Sequence, residues 1–239
     1  MSYKRVTAIG DSFTRGDELA DCPDYPSDGK GSHMTWPALI AKSINAEYKC
    51  MAVGGKGNQW TSWVVAKKIC DAHEYGNTPS LFIINWSWFE RFDYVNIDDD
   101  LWVTTHPRHD NKLDHYFYRN LDSDLWNLFR NLQQIHSTIS LLKQHNIDFI
   151  MTCLDPTYNT NVKDFCSDSF VQDIRGQAWT KVIAQLQEQV LPYIIAFNEM
   201  SFLDWANHHN YQLGPNGHPL EEAHAAAAEY VRRTVPLLH

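Results

Sequence analysis

Two short segments of this 239-residue chain combine residue types that together could carry out nucleophilic chemistry. The first is Gly10-Asp11-Ser12-Phe13, directly after the apolar run Val6-Thr7-Ala8-Ile9. A serine just beyond a strand sits at the carboxyl edge of a sheet, where the next helix N-terminus favours developing negative charge. Its hydroxyl is inert without a base, so such chemistry needs a histidine in hydrogen-bond reach and donors for an oxyanion. The second segment, Gly214-Pro215-Asn216-Gly217-His218-Pro219, is a rigid turn that presents His218 just before a helix. Taken singly, Ser12 is an N-capping serine in a turn and His218 is one of 12 histidines. Paired, they suggest acyl transfer with Ser12 as nucleophile and His218 as its base.

The elements around these turns alternate between two periods. Arg5–Ile9, Tyr48–Val53, Ser80–Trp86 and Asp148–Leu154 are short apolar runs that read as buried strands, and Tyr193–Phe197 reads as a fifth. Between them lie helical patterns at Trp36–Ile44, from Gly57-Asn58 to about Ala72, at Ser123–His145 and at Val171–Val190, with Leu220–Val235 closing the chain. The Ser123–His145 stripe is the clearest: Leu125, Phe129, Leu132, Ile135, Ile139 and Leu142 recur at three- and four-residue steps. Strands that are apolar throughout and separated by helices predict a parallel sheet covered on both faces. The expected fold class is therefore α/β, a three-layer α/β/α sandwich with a doubly wound, flavodoxin-like parallel sheet of five strands. Residues 1–239 read as a single domain, interrupted by an aromatic and acidic insertion at about 88–120.

Composition narrows the function classes. Hydrophobic residues make up 44% and charged residues 21%, the balance of a folded globular protein. A net charge of −9 argues against nucleic acid as partner. No apolar stretch is long enough for a membrane span or signal-peptide core, so a cytoplasmic protein without membrane association is expected. The five cysteines are odd in number and form no C-x-x-C pair, which suggests neither a disulfide framework nor a zinc clip.

At the level of motifs the chain resembles the SGNH, or GDSL-like, family of esterases and lipases, and the resemblance runs from near its N-terminus to near its C-terminus. The first block is Gly10-Asp11-Ser12-Phe13, which makes Ser12 the nucleophile and its N–H an oxyanion donor. The second is Val53-Gly54-Gly55-Lys56-Gly57-Asn58, whose donor N–H aligns to Gly55, with Gly54 as the alternative. The third departs from the family's Gly-x-Asn-Asp: Asn85-Trp86-Ser87-Trp88 puts Ser87 at the asparagine position. The resemblance then implies an oxyanion side chain from Ser87, Asn58 or Asn85. The last block also departs, since the family's aspartate two or three residues before the histidine is replaced by Asn216 and Pro215. Asn216 in place of the acid, a carboxylate from elsewhere such as Asp204, or a dyad resting on a backbone carbonyl would orient His218. His224, six residues on, reads as structural.

Trp86, Trp88 and Arg91 lie beside the third block and are candidate substrate-binding residues. The remaining aromatics of the insertion either line a pocket or form a mini-core that orders the loop. Its acids and histidines, Asp98, Asp99, Asp100, His106, His109, Asp110, Asp114 and His115, have no diagnostic ligand spacing, so neither metal nor cofactor is expected. The expected function is hydrolysis of a small-molecule or carbohydrate ester. The alternative is a catalytically weakened module that binds a glycan or a protein.

Overall fold

The computed structural model describes residues 3–22, 30–75, 80–96, 101–107, 112–165 and 173–238. Four parallel strands, β1 (Arg5–Ile9), β2 (Glu47–Cys50), β3 (Ser80–Trp86) and β6 (Asp148–Cys153), form the main sheet in the order β2-β1-β3-β6. In β1 and β3 the residues Val6, Ala8, Ile9, Leu81, Ile83 and Ile84 are fully buried. Such strands are buried on both faces, and only a parallel sheet with helices on each side does this.

Helices α3 (Asn58–Tyr75), α5 (Asp124–Gln144) and α6 (Ile174–Val190) close one apolar cluster, and α2 (Trp36–Ser43), α7 (Phe202–His208) and α8 (Glu221–Thr234) close the other. The predicted stripe on α5 holds: Leu128, Leu132, Ile135, Ile139 and Leu142 are buried at alternating four- and three-residue steps. Helix α8 begins with Glu221-Glu222 and ends with Arg232-Arg233, charges that complement its dipole at both ends.

The expected fifth strand is absent among the described residues. Tyr193–Phe197 instead makes one parallel bridge, Ile194 to Met151, with the Ile195 N–H donating to the Met151 carbonyl at 2.8 Å. A 3₁₀ turn over Leu191–Tyr193, with Pro192 in its first turn, consumes the residues that would extend the pairing. Left-handed Asn198 and Glu199 then turn the chain away on the other side. The second strand is also shorter than expected, Glu47–Cys50, and as an edge strand it is only half buried.

Between β3 and α5 the insertion forms an antiparallel hairpin of β4 (Phe92–Val95) and β5 (Trp102–Thr105), followed by α4 (Lys112–Asn120). It supplies part of its own core, with Phe92 stacked on Phe117 at 4.9 Å between ring centroids. Asp98, Asp99, Asp100, His109 and Asp110 lie outside the described residues, and among those described no cluster of three or more His, Cys, Asp or Glu is placed to hold a metal. No helix among the described residues is long and apolar enough to cross a membrane.

Candidate active site

Strand order reverses between β1 and β3, and the crevice beyond the carboxyl ends of those two strands is where open parallel sheets bind ligands. Ser12 follows β1 and Ser87 follows β3. The turn after β1 is as tight as a chain can make it: a Cβ on Gly10 would lie 2.4 Å from Thr14 Oγ1 and 2.8 Å from the Asn85 carbonyl oxygen. Only glycine fits there, and that closeness brings Ser12 straight onto the four-residue helix α1 (Ser12–Arg15). Asp11 caps this helix, its Oδ1 accepting from the Phe13 N–H at 3.2 Å.

Ser12, Gly55, Trp88, Arg91, Asn216 and His218 all line one open cleft of about 970 Å³. Six positions singled out from four sequence segments thus converge. The N–H groups of Ser12 and Gly55 donate to no protein acceptor among the described residues, as donors awaiting a ligand oxygen would.

His218 is oriented by a carboxylate that sequence reasoning missed. Glu18 Oε2 lies 2.6 Å from His218 Nδ1 and also accepts from the His218 N–H at 3.3 Å, while Oε1 accepts from the Asn216 N–H at 2.8 Å and from Asn216 Nδ2 at 3.1 Å. The 214–218 turn is wrapped around this carboxyl group, and a Cβ on Gly214 would come within 2.7 Å of it. Burial pushes the Glu18 carboxyl up, but the Asn216 N–H and the His218 side chain and N–H outweigh it and hold the group below the usual carboxylate range. Glu18 itself has a left-handed backbone, φ 73°, which is unfavourable for a residue with a Cβ and persists only where its surroundings enforce it. The Phe13 ring packs on the imidazole at 4.8 Å and limits its rotation.

Asn216 therefore supports the acid rather than replacing it. Asp204 is engaged elsewhere, accepting from Ser201 Oγ at 2.7 Å at the start of α7. Nothing in the motif spacing points to Glu18, because the family acid is sought next to the histidine. The one turn of α1 carries the chain back to the same edge within six residues of Ser12, and that return is a tertiary fact.

The three side chains expected to complete the oxyanion hole are built into the framework. Ser87 is fully buried and donates its hydroxyl proton to Asp11 Oδ2 at 2.7 Å. Asn58 spends its amide protons on the Ser87 carbonyl at 3.1 Å and on Asn131 Oδ1 at 2.8 Å. Asn85 is buried and accepts from Thr152 Oγ1 at 2.8 Å. None of the three lines the cleft. Trp86 does not line it either: it is fully buried in the core between β3 and the α3/α5 layer, because residue 86 still belongs to the strand.

The insertion is locked to the site. Asp93 on β4 accepts from the N–H groups of Gly57 at 2.9 Å and Trp60 at 3.0 Å, and from Thr104 Oγ1 at 2.5 Å, so it caps α3 from outside and ties the hairpin to the loop carrying Gly55. Lys56 Nζ donates to the Trp102 carbonyl at 2.5 Å. From α5, Arg130 Nη2 donates to the carbonyls of Phe89 and Arg91, each at 3.0 Å. Trp88 and Trp102 face the cleft, while Phe89 and Phe117 are buried in packing, so the insertion's aromatics serve both expected purposes.

His224 is structural. It is 1% exposed, its Nδ1 accepts the Trp36 N–H at the start of α2 at 3.1 Å, and burial drives its pKa down to about 3.

No family model and no curated protein sequence matches the chain. Solved structures do. A member of the lipolytic protein G-D-S-L family from Veillonella parvula DSM 2008 is similar over 97% of this chain and 97% of its own, at 14% identity and a TM-score of 0.50. The structure of TesA is similar over 98% of this chain and 99% of its own, at 14% identity and a TM-score of 0.52. The chain has the SGNH-like fold of these proteins.

Proposed function

We propose that this protein hydrolyses esters through an acyl-enzyme on Ser12. The observation that carries the reading is that Ser12 and His218 line one cleft while Glu18 holds His218 Nδ1 at 2.6 Å. With Nδ1–H donated to Glu18, Nε2 is left as the base that takes the Ser12 proton as Oγ attacks the ester carbonyl. The tetrahedral oxyanion rests on the N–H groups of Ser12 and Gly55. Collapse expels the alcohol, which leaves with the proton held by His218. The same imidazole then deprotonates a water that attacks the acyl-enzyme and releases the acid. Glu18, ionised throughout, stabilises the imidazolium by charge, which Asn216 cannot do.

The substrate class in this reading is a small-molecule or carbohydrate ester. The cleft has the volume of a site for a compact ligand, and Trp88 and Trp102 offer ring faces to a sugar or an acyl chain. The alternative of a weakened binding module is motivated by the changed third and last blocks, and the Glu18 carboxylate on His218 Nδ1 supports the enzyme reading over it. Purified protein assayed on p-nitrophenyl acetate beside Ser12→Ala tests the proposal. Equal rates for the two would sink it.

A further inference from the structure

We infer that Arg91 supplies the side-chain donor of the oxyanion hole, in the place where the family pattern has an asparagine. The inference rests on the ester-hydrolase reading above and adds a residue to it. Ser87 and Asn58 spend their side-chain protons on Asp11 and on Ser87 and Asn131, and Asn85, buried in β3, does not line the cleft. Arg91, just beyond the third block, is a polar side chain that does line the cleft. It is 7% exposed, and its Nη1 donates to Asp11 Oδ2 at 3.0 Å, Ser87 Oγ at 2.7 Å and the Lys56 carbonyl at 3.1 Å.

Those partners locate the guanidinium. Asp11 immediately precedes Ser12, and Lys56 immediately follows Gly55, so the head group is pinned between the two loops that carry the backbone donors. Its other nitrogens are unspent: Nε is buried with no hydrogen-bond partner, and Nη2 makes no hydrogen bond among the described residues. A cationic N–H without an acceptor gains most when negative charge develops beside it, and of the two nitrogens Nη2 is the one able to meet a ligand, since Nε has no exposed surface. The Asp11 carboxylate balances the guanidinium in the resting site. Arg91 therefore favours the oxyanion over a neutral carbonyl, and its contribution falls on kcat.

On p-nitrophenyl acetate, Arg91→Ala is expected to lose ~10²–10³ in kcat with KM changed less than about threefold, the effect typical of one oxyanion donor. Free guanidinium at millimolar concentration should restore at least about tenfold of it by occupying the vacated space. Arg91→Lys keeps a cation beside Asp11 and is the variant that decides if Arg91→Ala does not fold; its kcat should still fall at least about tenfold, since one ammonium cannot reproduce the planar fork. Arg91→Lys turning over within about threefold of wild type overturns the inference. So does a folded Arg91→Ala that guanidinium does not rescue, which would assign the loss to the Asp11 framework. A loss confined to KM for an anionic ester such as p-nitrophenyl hemisuccinate also overturns it, making Arg91 an anchor for substrate charge. Equal activity of Ser12→Ala and wild type would instead remove the hydrolase reading itself.

Discussion

The single residue on which the site turns is Glu18. Its carboxylate gathers four donors from Asn216 and His218, so its removal leaves both a disordered imidazole and an unsupported turn. Glu18→Gln keeps size and hydrogen bonding but loses the charge and permits the wrong imidazole tautomer. Its kcat is expected to fall by ~10²–10⁴ with the fold retained, by analogy with the aspartate-to-asparagine change in serine proteases. Steady-state kinetics with circular dichroism would check this, and activity within about threefold of wild type would show that a backbone carbonyl suffices. Asn216→Ala, which removes one of the four donors and leaves the Asn216 N–H, should cost no more than about tenfold. Because Glu18 is held below the ordinary carboxylate range, its contribution to stability is present at neutral pH, where the unfolded-state carboxyl is already ionised. That contribution is lost as the pH falls through the folded-state value.

At the scale of elements, two side chains fasten parts of the fold that are far apart in sequence. His224 on α8 accepts the Trp36 N–H of α2 and must be neutral to do so. Its pKa is about 3 in the fold against an ordinary value of 6.5, so its neutral form stabilises the protein above pH 6.5 and that stabilisation drains away as the pH drops toward 3. A difference of this size is worth on the order of 4–5 kcal/mol at the low end. Denaturant unfolding from pH 7 to pH 4 should show a steep loss for wild type and a shallower one for His224→Gln, and parallel curves would assign the acid sensitivity elsewhere. Asp93 is the second fastener, joining the β4–β5 hairpin to the start of α3 with two accepted bonds and holding Thr104 of β5 with a third, while 2% exposed. Asp93→Ala should destabilise by about 2–4 kcal/mol and lower kcat as well, since the loop that carries Gly55 loses its outer brace. A stability loss with fully retained kcat would mean that the hairpin merely covers the site.

For the molecule as a whole, the sheet separates two cores that share strands but few side-chain contacts. Leu132 belongs to the α3/α5/α6 side and Ile40 to the α2/α7/α8 side, both almost completely buried. Leu132→Ala and Ile40→Ala should each cost about 2–5 kcal/mol, and the double variant should match their sum to within about 0.5 kcal/mol because no partner is shared. A larger coupling energy from denaturant titration would mean that the sheet transmits strain between its faces. The alternation of apolar runs with helical stripes was enough to read this layered plan from the chain. It overestimated the sheet by one strand, because pattern alone cannot tell that Pro192 and the left-handed Asn198 and Glu199 leave Tyr193–Phe197 only a single bridge.

Sequence alone determined where Ser12 and His218 would stand. A glycine turn after a buried strand puts Ser12 at the sheet edge, a rigid Pro/Gly turn presents His218, and these are local consequences of backbone geometry. Gly55 was legible from the family resemblance, and Trp88 and Arg91 from their place beside the third block; all three line the cleft. Only the tertiary structure decided which groups serve them. Glu18 meets His218 across 200 residues of chain, and the protons of Ser87 and Asn58 are already spent on neighbours that no spacing reveals. Position at a sheet edge follows from short-range order, whereas the assignment of each buried donor to its acceptor is settled by long-range packing.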